Sequence, residues 1–114
     1  MIQDILERRR RHEVRLRAAL DDLVQELARV GAQRIILFGS LVSGQVHEWS
    51  DIDLLVVMPP DRSSREWREI IGSHVRRTVA CDLLVFTSKE LADDLPSSTL
   101  LRTIMERGQV LYEV

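Results

Sequence analysis

The sequence predicts an α/β fold, a small mixed sheet flanked by helices. Two short apolar runs, Ile35 to Phe38 and Ile52 to Val57, have the length and β-branched content of buried strands, and each ends at a breaker, Gly39-Ser40 or Pro59-Pro60. Ahead of them, leucines recur at helical spacing. Between the second run and a third, from Val79 to Phe86, lies a stretch long enough to cross over as a helix, and that order calls for parallel pairing of strands two and three.

The elements follow in order. Leu16, Leu20, Leu23, Leu27 and Val30, with Val24 beside them, make one apolar stripe of a helix reaching back to the N-terminus. Gly31 stands where such a helix ends. A polar loop or short helix runs from Gly39-Ser40 through Gly44 to Trp49. Arg65 to Arg77 reads as a helix with Trp67, Ile70, Ile71 and His74 on one side. Ser88 is placed to cap a short helix, and Ser97 or Ser98 to cap the next one, which carries Leu100, Leu101, Ile104 and Met105 and closes at Gly108. Gln109 to Tyr112 suits a last edge strand. The expectation is one domain over 1–114, an N-terminal helix over 1–31 and a core over 32–114.

Composition narrows the function. The formal net charge is −2, which argues against a general polyanion binder. Arg8 to Arg11, Arg15 and Arg17 make the first helix basic, but no aromatic residue interleaves with them; a solvated face is expected rather than direct nucleic-acid binding. The single cysteine, Cys81, cannot bridge internally, which fits a reducing compartment. No apolar run approaches the roughly 20 residues that span a bilayer, so a cytoplasmic protein without membrane contact is expected.

The chemistry is concentrated in one stretch. Asp51 and Asp53 are two apart at the head of an apolar strand, so they share a face while Ile52, Leu54 and Val56 take the other. Charges there are costly to desolvate unless something positive compensates. Mg²⁺ suits them, because it takes carboxylate oxygens and keeps positions open for phosphates. Asp82 interrupts the third apolar run and comes close to the first two if strands two and three are neighbours. Three carboxylates can hold two metal ions about 4 Å apart, the arrangement for in-line phosphoryl displacement. Gly39 lets the backbone approach a phosphate, and the amides and hydroxyl at Gly39-Ser40 can donate to it.

Glycine-serine, ten residues, aspartate, any residue, aspartate, with a third aspartate downstream, resembles the pattern of the DNA polymerase beta-like nucleotidyltransferase superfamily. The match runs from about Ile35 to Phe86, and the short chain looks like its minimal nucleotidyltransferase branch. The resemblance implies a polymerase beta-like fold, terminal phosphates on Gly39 and Ser40, and two Mg²⁺ ions on Asp51, Asp53 and Asp82, with Asp82 helping to deprotonate the attacking hydroxyl. It implies transfer of a nucleoside monophosphate, AMP from ATP, with release of pyrophosphate. It also implies a partner, since minimal members pair as antitoxins with HEPN-domain toxins and some adenylylate the toxin. One departure stands out: Leu41-Val42-Ser43 carries no basic residue where many members have one, so a phosphate contact is missing. Arg76 and Arg77 are cations that could reach the site from elsewhere.

Other residues have plainer roles. His47 reads as a loop surface residue without a second histidine at ligand spacing, His74 as a helix-face packing residue, Cys81 as core, and Trp49 as packing under its loop. Three functions compete: a nucleotidyltransferase acting on a partner protein, an antitoxin that neutralises by binding alone, and a small-molecule nucleotidyltransferase, which would need more chain to hold its acceptor. Homo- or hetero-oligomers are compatible with all three.

Overall fold

The computed structural model describes residues 1–114. Helix α1 spans Ile2–Val30, strand β1 Arg34–Phe38, the one-turn helix α2 Ser40–Ser43, and β2 Ile52–Met58. Then come α3 (Ser64–His74), β3 (Cys81–Thr87), α4 (Ser88–Asp94), a 3₁₀ turn (Leu95–Ser97), α5 (Thr99–Arg107) and β4 (Gln109–Glu113). The sheet order is β3-β2-β1-β4, with β2 and β3 parallel and the other pairs antiparallel, a mixed sheet as predicted.

Strand alternation splits the core in two. Ile35, Leu37, Ile52, Leu54 and Val56 face the leucine stripe of α1 (Leu16, Leu20, Leu23, Leu27) and Trp67 and Ile71 of α3. Ile36, Leu55 and Val57 face Leu91 of α4 and Leu101 and Ile104 of α5. The stripe of α1 therefore docks on its own sheet, and each fully buried leucine contributes about 2 kcal/mol of apolar transfer. Helix α1 ends at Gly31, whose φ of 126° is open to glycine and whose N–H donates to Leu27 and Ala28 carbonyls. Gly108 has a different reason to be glycine: its φ is an ordinary −70°, but a Cβ would sit 2.5 Å from both the Ile104 carbonyl oxygen and Ile36 Cγ2, so β4 can leave α5 only by passing this close. No helix is long and apolar enough to cross a membrane.

The helix starts are chemically explicit. Ser63 Oγ accepts from Glu66 N at 3.1 Å while Glu66 Oε1 accepts from Ser63 N at 3.2 Å, and Thr87 and Glu90 repeat this box at α4. Thr87, not Ser88, is therefore the cap of α4; Ser98 caps α5. These backbone hydrogen bonds hold both glutamates below the ordinary carboxyl value of 4.5. A lowered folded-state pKa means stability that is complete above the unfolded value and lost as pH falls through the folded one. Thermal melts between about pH 5 and pH 3 should accordingly show the wild type losing stability faster than the Glu66→Gln, Glu90→Gln double variant. At neutral pH, Ser63→Ala should cost about 1 kcal/mol in a denaturant titration.

Four expectations are corrected. Helix α3 stops at His74, not Arg77, because Val75 turns into the core with extended dihedrals and its N–H closes the last turn on Ile71. His74 is exposed and bonds the Ile70 carbonyl through Nδ1 rather than packing. Trp49 is 80% exposed, although Val46 and Ser50 on either side of it in the loop pack inward. The third strand begins at Cys81; Val79-Ala80 leads into it.

Candidate active site

Register places the carboxylates at one end of the sheet. Asp53 pairs with Phe38 across the antiparallel ladder and with Asp82 across the parallel one, so all three side chains lie in one row on the α4/α5 face. Neighbouring strands lie about 4.8 Å apart, which brings Asp53 and Asp82 side by side. Asp51 sits one residue ahead of β2, on the same side, outside the ladder. Asp53 is half-buried; Asp51 and Asp82 are exposed. The apolar run around Asp82 suggests burial, but β3 is an edge strand and Asp82 is exposed.

Gly39 completes the row. Its φ of 79° starts α2 immediately after β1, and a Cβ there would press on the Asp53 carboxylate, with Cγ only 3.1 Å away. The glycine-serine loop and the central carboxylate are thus in direct contact. Ser40 is the first residue of α2, a position whose amide has no intrahelical acceptor. Gly44, at φ 80°, ends the turn by donating to Ser40 O.

Burial, then the charges of Asp82 and Asp51, push the Asp53 carboxyl above its ordinary value. Such a set of like charges is relieved by a proton or a cation among them. Its donors are all carboxylate oxygens, the chemistry Mg²⁺ prefers. By donor chemistry the residues suit a divalent ion, but in this structure no three of them come close enough to form a metal cluster.

The surroundings add residues that no local pattern reveals. His12 Nε2 donates to the Ser50 carbonyl at 2.8 Å, tying α1 to the residue before Asp51, and Arg15 donates to His12 Nδ1 at 3.0 Å. These two partners suit the neutral imidazole protonated on Nε2. Buried Ser50 also accepts from His47 N through Oγ, so His47 serves the loop as an exposed residue. Arg17 donates to the Leu41 carbonyl at 3.1 Å, bracing α2 from α1. Of the two later arginines, Arg77 lies beside the Cys81 thiol, on the flank of Asp51 and Asp82, whereas the Arg76 amide is drawn to Glu26. Cys81 itself is half-buried against the α1 side of the sheet, opposite Asp82, and burial pushes its thiol up.

Comparison with known proteins agrees with the fold. The chain resembles the crystal structure of a presumed nucleotidyltransferase from Sulfolobus solfataricus at a TM-score of 0.65 and 15% identity, over 93% of this chain and 87% of that one. It also resembles a toxin-antitoxin structure solved with AMP-PNP, at a TM-score of 0.51 and 22% identity, over 82% and 73% of the two chains. At these identities the likeness is one of fold. A search of curated protein sequences gave no match. The profile of the family described as nucleotidyltransferase domain matches residues 15–111, a span that takes in the leucine stripe, the glycine-serine loop and all three aspartates. On that match this chain belongs to the nucleotidyltransferase domain family.

Proposed function

We propose that the chain transfers a nucleoside monophosphate, AMP from ATP, to a hydroxyl of a partner protein and acts as the antitoxin of a pair whose toxin is a HEPN-domain protein. The observation that carries the reading is the contact of Gly39 with the Asp53 carboxylate, itself in register with Asp82. A phosphate chain seated on Gly39 and Ser40 would lie beside those carboxylates. The family match and the likeness to a toxin-antitoxin structure containing AMP-PNP support it.

Asp51, Asp53 and Asp82 would hold Mg²⁺. The ion, when bound, screens phosphate charge and polarises the phosphorus under attack. The chain's own groups do the rest. The Gly39 and Ser40 amides and the Ser40 hydroxyl orient the terminal phosphates so that pyrophosphate leaves in line. Asp82, exposed on the edge strand, is open to an incoming hydroxyl and can take its proton. The acceptor comes from the partner, which suits a site on an open sheet edge.

Labelled ATP, Mg²⁺ and the protein encoded beside this one should yield a labelled partner, with no label when Asp53 is asparagine. A second reading has its own observation: α2 carries no basic residue and the carboxylates are not drawn together, as expected of an antitoxin that works by contact alone. Full neutralisation by Asp53→Asn, with no label transferred by the wild type, would establish that reading instead.

A further inference from the structure

Polyphosphate carries several negative charges, and one glycine-serine turn does not neutralise them. Arg17 is held by the Leu41 carbonyl and by Glu13 at 3.7 Å, and Arg102 by the Pro96 carbonyl at 2.6 Å. Arg77 lies beside the Cys81 thiol, on the α1 side of the sheet. Arg107 differs. It forms none of the ion pairs of the fold and lines a cavity of about 350 Å³ between α2 and α5. Gly39, Val42 and Ser43 form one wall, and Leu100 and Thr103 stand with Arg107 on the other. Phe38 and Ile104 make the floor, so the lining is mostly apolar and Arg107 is its one charged residue. Phe38 and Ile104 belong to the α4/α5 side of the sheet, the side on which Asp53 and Asp82 lie.

We propose that Arg107 is the cation that binds the terminal phosphates of the nucleotide, reaching across this cavity to the Gly39-Ser40 turn from a helix remote in sequence. The assignment rests on reading that turn as the phosphate-binding element. It also accounts for the absence of charge in Leu41-Val42-Ser43: Ser43 faces the same cavity as Arg107, so a basic residue there would duplicate it. An arginine in the last turn of α5 also complements the helix dipole, but that role alone does not depend on what occupies the cavity.

The test is calorimetric titration of ATP with Mg²⁺, and separately of inorganic tripolyphosphate, into the full chain and three variants. Arg107→Ala should weaken both ligands roughly ten- to hundredfold, the loss of charge-assisted hydrogen bonds, and Arg107→Lys should fall between. Adding Ser43→Arg to Arg107→Ala should recover most of the loss, because it returns a guanidinium to the same cavity. Affinity for both ligands within twofold of wild type in Arg107→Ala overturns the proposal. So does a weakened variant that Ser43→Arg fails to rescue, since the loss then traces to the end of α5. If the wild type binds neither ligand, the reading of Gly39-Ser40 fails and this inference with it.

Discussion

Asp53→Asn should lower nucleotidyl transfer at least about a thousandfold, the effect of removing several kcal/mol of charge stabilisation at the reacting phosphate. The same substitution should not harm the fold. Asp53 is the carboxylate that burial and its two acidic neighbours hold above the ordinary value of 3.8. A raised folded-state pKa means that its contribution to stability is present below the unfolded value and lost as pH rises through the folded one. At neutral pH without metal the ionised Asp53 therefore works against folding. The asparagine variant should melt at or above the wild-type temperature in chelator, and Mg²⁺ should raise the wild-type melting temperature but hardly move the variant's. A variant that melts well below wild type would mean that Asp53 supports the fold and that its place in the row has another cause.

Gly39→Ala should damage stability and activity together. The backbone there, with φ 79° and ψ −150°, lies in a region essentially reserved for glycine and costs an alanine about 1–3 kcal/mol, and the new methyl would press on the Asp53 carboxylate, adding about 1–3 kcal/mol of overpacking. The carboxylate must turn away, so transfer should fall at least about a hundredfold. Gly44→Ala is the comparison. Gly44 also has a positive φ, 80°, but with ψ 11° it lies in the left-handed region, which costs an alanine about 1 kcal/mol, and its methyl would meet nothing within 4 Å. It should show that smaller backbone cost alone and keep most activity. Equal loss of activity in both variants, measured under conditions where both are folded, would remove the Gly39–Asp53 contact from the account.

The placement of the candidate residues was largely legible because they sit on contiguous chain. Gly39 beside Ser40 marks a sharp turn after β1, and a strand presents Asp51 and Asp53 to one side by simple alternation. The parallel pairing that aligns Asp82 with Asp53 followed from the length of the crossover between their strands. What alternation and spacing could not supply were exposures and distant neighbours. Asp82 is exposed because β3 lies at the edge, and strand order is not written in the apolar pattern of a strand. The glycine of helix α3, Gly72, lies inside its last turn and does not mark its end; Val75 ends it by turning into the core. His12 and Ser50 are 38 residues apart, and Arg17 and Leu41 are 24 apart, so only the packing of α1 against the sheet brings them together. Arg107 looks like any basic residue in a last helical turn until α5 is seen across the cavity from Gly39.

The central claim is that the glycine-serine turn and the three carboxylates form a single site for nucleotide and metal. A crystal structure of the chain with Mn²⁺ and a non-hydrolysable ATP analogue tests it most directly. The account predicts anomalous scattering from manganese against Asp51, Asp53 and Asp82, with the terminal phosphates on Gly39 and Ser40. Manganese bound elsewhere, or a nucleotide seated away from Gly39 with the carboxylates unengaged, would contradict it.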